Sequence, residues 1–238
     1  RTLHPVVVAA VLVPLLAASE KSFFIRPQIL TTLLLSGLSA LLAYADEPRH
    51  RRLLWFVPPL LSLWANLHGG FIAGVGSVWI WGAVTFVRTS ERRKDVSVLA
   101  LASVLAPLAN PYGSGLYRFL FTTLGAHAYI SEWAPISLLS AQYLVFKGVA
   151  VATLAASAYL TFRVRAGRRI QTMLAWRAPL ALLALILAFR HHRHTILLNV
   201  VAAPLLLVAG EDLRRHVALR LAKDQPGSGA LAAISIGL

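Results

Sequence analysis

The run Arg190-His191-His192-Arg193-His194 sets two guanidiniums, three residues apart, among three imidazoles. A guanidinium stays charged and presents a planar fork that matches phosphate oxygens, so Arg190 and Arg193 are candidates for holding a phosphate or diphosphate. Imidazole titrates near neutrality. His191, His192 and His194 can therefore assist that anion as donors, act as acid–base groups, ligate metal, or serve as polar loop residues. Arg26, between Phe23-Phe24-Ile25 and Pro27, has the same phosphate chemistry open to it, or that of an interfacial anchor whose head reaches water. In Trp64-Ala65-Asn66-Leu67-His68-Gly69-Gly70-Phe71, Asn66 and His68 bring hydrogen-bonding groups, while the glycines permit a sharp reversal or the close approach of a ligand. Glu132 sits in an apolar, aromatic stretch. It either pairs with Arg118, Arg190 or Arg193, or takes part in acceptor binding or catalysis. A divalent metal stays open, but the spacing of His68, His127, Glu132 and the histidine run is no recognised zinc pattern, and no metal ligand is assigned.

The elements that must position these groups are membrane spans. Only 13% of residues are charged and 58% are hydrophobic, whereas soluble domains carry about a quarter charged. Apolar blocks at residues 5–19, 28–45, 53–66, 70–88, 96–109, 142–162, 177–190 and 194–210 predict about eight helical spans. The stretch 110–141, broken by Pro111, Gly113, Gly115, Gly125 and Pro135, predicts interfacial helices in an external loop. The fold expected is thus an all-α polytopic transmembrane bundle, one membrane domain over 1–238. Both ends read as cut, which makes the chain the C-terminal portion of a larger protein.

Four gaps, Asp46 to Arg52, Arg88 to Asp95, Arg163 to Arg177 and Arg214 to Lys223, together with Arg1 carry 17 of the 23 Lys and Arg. By the positive-inside rule these gaps are cytoplasmic, and every unusual polar motif then falls on the opposite face. The site expected faces the periplasm or exterior of a multi-pass protein of the inner (plasma) membrane. The net charge of +14 lies in the loops and forms no basic stripe with interleaved aromatics, so membrane lipids, not nucleic acid, are the partners of that charge. Absence of cysteine removes disulfides and thiolate metal sites. No Walker loop, dinucleotide fingerprint or Ser-His-Asp arrangement occurs in a fitting context.

Taken in order, Arg26-Pro27-Gln28, Trp64 to Phe71, Asn110-Pro111-Tyr112-Gly113, Glu132-Trp133 and Arg190 to His194 resemble the outer motifs of bacterial multi-pass proteins similar to the GT-C glycosyltransferases. That superfamily includes the protein O-mannosyltransferases and lipid A aminoarabinose transferases. The resemblance implies sugar transfer from a polyprenyl-phosphate donor, on the outer face, to an acceptor these residues do not identify. It also implies that the acidic residue of a first external loop, expected upstream of Arg1, supplies the base or metal ligand. In this chain the donor and acceptor contacts carried over are Arg26, Asn66, His68, Glu132, Arg190, Arg193 and His194. Glu132 and His68 are the substitute candidates for catalysis. A transporter or lipid flippase, or a noncatalytic membrane scaffold, are the competing readings; the histidine run alone would also suit an enzyme like the O-antigen ligases. A scaffold predicts a dispersed outer cluster, and a transporter predicts ionisable groups within the bundle.

Overall fold

A computed structural model describes residues 3–19, 27–123, 133–162 and 168–223. Those residues form helices and no strands: α1 (Pro5–Ala18), α2 (Gln28–Ala45), α3 (Val57–Leu67), α4 (Phe71–Arg88), α5 (Arg93–Leu105), α6 (Gly115–Thr123), α7 (Leu144–Phe162), α8 (Arg168–Arg190) and α9 (Thr195–Lys223). A 3-10 segment, Pro48–Phe56, leads into α3, and a 3-10 turn, His192–His194, joins α8 to α9.

Each expected span coincides with a helix, yet their lengths divide them. Gln28–Ala45, Phe71–Arg88, Leu144–Phe162, Gln171–Arg190 and His192–Leu221 are long and apolar enough to cross a membrane. The 14 residues of α1, 11 of α3 and 13 of α5 are not, since a 30 Å hydrocarbon core asks for about 20 residues of helix. Two further boundaries move. The polar turn Arg168 to Trp176, read as loop, is the first part of α8, and α9 continues through the basic segment to Lys223. Helix propensity of Gln, Arg, Leu and Ala carries both past the apolar block.

Contacts near the helix ends fix two opposite ends of the bundle. At one, Thr31 of α2 meets His68 beyond α3, Asn66 meets Ala109 beyond α5, and Tyr143 before α7 meets His192. At the other, Asp46 after α2 meets Trp81 of α4 and Trp176 of α8, and Arg92 before α5 meets Ala45. Successive helices other than α6 therefore alternate in direction. Along α2, Thr31 and Asp46 are about 22 Å apart at helical rise.

Leu38, Leu42, Trp64, Trp81, Trp176 and Leu198 are among the fully buried side chains that knit α2, α3, α4, α8 and α9 together. Gly74 lets α4 lie against α3; a Cβ there would stand 2.6 Å from Trp64 Cζ3 and 2.8 Å from Leu61 Cδ2. Outward faces remain apolar: Leu33, Val87, Val151, Leu182 and Ile186 are exposed. Apolar helices with apolar outer faces are those of a membrane protein, for which lipid tails cover what water would not.

Candidate functional site

The first end of the bundle gathers most of the expected polar residues that are described. Arg26 and Glu132 lie outside the described residues, as does His127. Asn110, in the motif read as a turn, is one: its Oδ1 accepts from Tyr112 N–H at 2.7 Å, and Gly113 takes a φ of 52°. Among its described residues the segment 110–141 is partly helical, with α6 early in it and irregular backbone and turns after Trp133.

His68 ends α3 in an extended conformation, so its ring folds back toward α2 and the start of α4. Its Nδ1 lies 2.7 Å from Thr31 Oγ1 and 3.1 Å from the Gly70 backbone nitrogen. A backbone N–H can only donate, so Nδ1 is an acceptor and the ring proton sits on Nε2. Trp64 Nε1 donates to Thr31 Oγ1 at 3.2 Å, which leaves the hydroxyl proton to point at Nδ1. One chain of donors, from Trp64 through Thr31, thus fixes both the orientation and the tautomer of His68. Gly70 is needed for close approach by its own chain: a Cβ would collide with Thr31 Oγ1 and stand 2.9 Å from His68 Nδ1.

Burial, and next the positive charge of Arg193, lower the His68 pKa below its ordinary 6.5. The charge of Arg193 is thus felt at His68, although 125 positions separate them in sequence. Its guanidinium lies 4.5 Å from the centroid of Trp133, a cation–π contact, with no carboxylate partner among the described residues. Arg190 differs: it closes α8 and is exposed, so the two arginines do not form a matched clamp.

Trp133 also meets the rings of His191 and His194 edge-on, with centroids 5.1 and 6.0 Å away. His191 Nδ1 is 2.7 Å from the Trp133 carbonyl, and His194 Nδ1 is 3.3 Å from that of Leu187. Carbonyl oxygen cannot donate, so these rings carry the proton on Nδ1 and, when neutral, present Nε2 as the acceptor atom. The histidines therefore split by chemistry. His68 offers an N–H, whereas His191 and His194 hold the proton on Nδ1 and, when neutral, leave Nε2 unprotonated, which disfavours His68 as the general base. His192 packs on Tyr143, whose φ of 60° places a bulky residue in the left-handed region. Among the described residues no three metal-ligating side chains converge. Asn66 spends its amide on the carbonyls of Ser62 and Ala109, both at 2.8 Å, so Oδ1 alone is available to accept from a hydroxyl.

Sequence reading missed Thr31, Trp64 and Trp133 as supports; an indole beside a membrane boundary looks the same whether it anchors or orients. It also counted Arg177 among loop cations. In the structure Arg177 is 3% exposed, donating to Ser39 Oγ at 2.8 Å and to the Ser39 carbonyl at 3.2 Å, inside the bundle near Asp46.

At pH 7 the ¹⁵N shifts of His68 are expected to report an Nε2–H neutral ring with a titration midpoint below 6.5. A depressed folded pKa means that the contribution of His68 to stability is fully present above 6.5 and is lost as pH falls through the folded value. A neutral ring protonated on Nδ1 would contradict the hydrogen-bond assignment. No family model, curated protein or solved structure matches the chain.

Proposed function

We propose that this end of the bundle binds the phosphate of a polyprenyl-phosphate-linked sugar, and that the protein is a membrane glycosyltransferase of the GT-C kind acting on the outer face of the inner membrane. The observation that carries the reading is Arg193, stacked on Trp133 with no carboxylate partner among the described residues, at the end of the bundle where His68 is held as a donor. A half-buried guanidinium whose charge is felt at an imidazole held as a donor is a combination that suits an anion. Eight crossings belong to the same proposal. In it the short α3 is extended by the 3-10 segment before it and α5 by the turn Ala106–Leu108 after it.

In such a transfer the acceptor hydroxyl oxygen bonds to the anomeric carbon, the bond from that carbon to the donor phosphate breaks, and the polyprenyl phosphate leaves with the electron pair. Arg193 and the Nε2–H of His68 stabilise the charge growing on the leaving oxygen. The acceptor proton needs a base, and His194 Nε2 is the acceptor atom of a neutral ring at the same end. Asn66 Oδ1 can orient a sugar hydroxyl. Arg26 and Glu132 keep the donor and acceptor roles expected for them.

A transporter or flippase draws support from Arg177, an ionisable group within the bundle. A scaffold gives no reason for a half-buried Arg193 without a carboxylate partner among the described residues. Purified protein is expected to bind undecaprenyl phosphate, and Arg193→Ala to weaken that binding about 10- to 100-fold, the worth of one buried charge-assisted contact. Equal affinity in the two proteins would remove the phosphate site. Binding without transfer of sugar to any acceptor would favour the flippase.

A further inference from the structure

We propose that the opposite end of the bundle carries a second site, for the phosphate headgroup of an anionic phospholipid. A cavity of about 430 Å³ opens there between the 3-10 segment before α3 and the start of α5, walled by Arg49, Arg51, Arg52, Asp95, Leu54, Trp55 and Leu99. Two of its arginines are ion-paired, Arg49 to Glu47 and Arg51 to Asp95. Arg52 has no carboxylate partner among the described residues, so the cavity holds one positive charge in excess.

The layer beneath repeats the imbalance. Arg92 donates to the Ala45 carbonyl at 2.9 Å and Arg177 to Ser39, with the carboxylate of Asp46 beside both and the charge of Asp95 also felt at Arg92. Moreover, the Nε atoms of Arg51, Arg92 and Arg177 are shielded from solvent and hydrogen-bond to nothing in the described protein. A cluster of guanidiniums short of counter-charge is complementary to a phosphate.

The walls select the source of that phosphate. Leu54 and Leu99 are buried apolar sides of the cavity, and the indole of Trp55 is 58% exposed, next to the equally exposed Phe56. Exposed Trp and Phe beside arginines at a helix entry suit the headgroup level of a bilayer, where acyl chains cover the rings. An inorganic or sugar phosphate would leave those rings in water. The site is independent of the transferase reading, since none of its residues lies at the His68 end.

Native mass spectrometry of the purified full chain, released from micelles containing equal phosphatidylglycerol and phosphatidylcholine, tests it. Wild-type protein is expected to retain phosphatidylglycerol preferentially, and the double variant Arg49→Ala, Arg52→Ala to retain it about 30-fold less, two exposed cations being removed. Trp55→Ala, which alters no charge, is expected to lower retention as well, and Arg193→Ala to leave it unchanged. Equal retention of the two lipids by wild type would overturn the proposal. So would unchanged phosphatidylglycerol retention in both the arginine and the tryptophan variants, or displacement of the lipid by an equal concentration of glycerol phosphate.

Discussion

Asp46→Ala is expected to destabilise the protein by about 3–5 kcal/mol, because it strips partners from several buried groups at once. Its Oδ1 accepts from Trp81 Nε1 at 2.9 Å and its Oδ2 from Trp176 Nε1 at 3.3 Å, and both indoles are buried. The same carboxylate faces Arg92 and Arg177, whose guanidiniums lie over those two indoles, 5.3 and 4.3 Å from the ring centroids. Burial raises the Asp46 pKa against the pull of these four neighbours. Holding the charge is therefore costly, and removing it leaves two indole N–H groups and two cations uncompensated. Asp46→Asn keeps one acceptor oxygen and loses the charge, so it should fall between wild type and Ala. Unfolding of the purified protein in detergent by heat or denaturant checks this order. An Ala variant as stable as wild type would show that the carboxylate does not bind α2, α4 and α8 together.

Much of the bundle is readable from the chain because lipid leaves a plain signature. Runs of apolar residues end at charges, and the charges alternate in abundance from gap to gap. Length was less readable. The apolar block of α8 begins at Arg177, yet the chain is already helical at Arg168, since backbone hydrogen bonding does not stop where hydropathy does. That His68 and the histidine run share one end was expected from the alternation of basic and non-basic gaps. Which nitrogen of His68 carries the proton was not, because Thr31, Trp64 and Gly70 act on it through the angle at which α2 meets α3 and α4. Likewise an arginine at a span boundary has the same letter whether it stays exposed, as Arg52 does, or turns inward to Ser39, as Arg177 does.

The two adjacent glycines after His68 provide the sharpest test of that joint. Gly69→Ala should be nearly silent, since its Cβ would meet only Leu120 Cδ2 at 3.4 Å, an ordinary contact. Gly70→Ala drives a methyl into Thr31 Oγ1, 2.8 Å from Thr31 Cγ2 and 2.9 Å from His68 Nδ1. The Gly70 φ of −65° suits any residue, so the cost is steric and not conformational. Overpacking of this kind costs about 1–3 kcal/mol when side chains and backbone must shift. The shift would also pull the Gly70 N–H from Nδ1 and release the His68 ring, so binding of polyprenyl phosphate should fall with stability. Thr31→Ala removes two of the three atoms that the new methyl strikes, leaving His68 Nδ1. In the double variant the stability losses should therefore be less than additive, the coupling expected of groups in direct contact. Lipid-phosphate binding should not return with stability, because Trp64 and His68 have then lost the hydroxyl that joins them. Additive stability losses would mean that the methyl is accommodated elsewhere. Recovery of binding in the double variant would mean that the ring needs no hydroxyl to hold its donor in place.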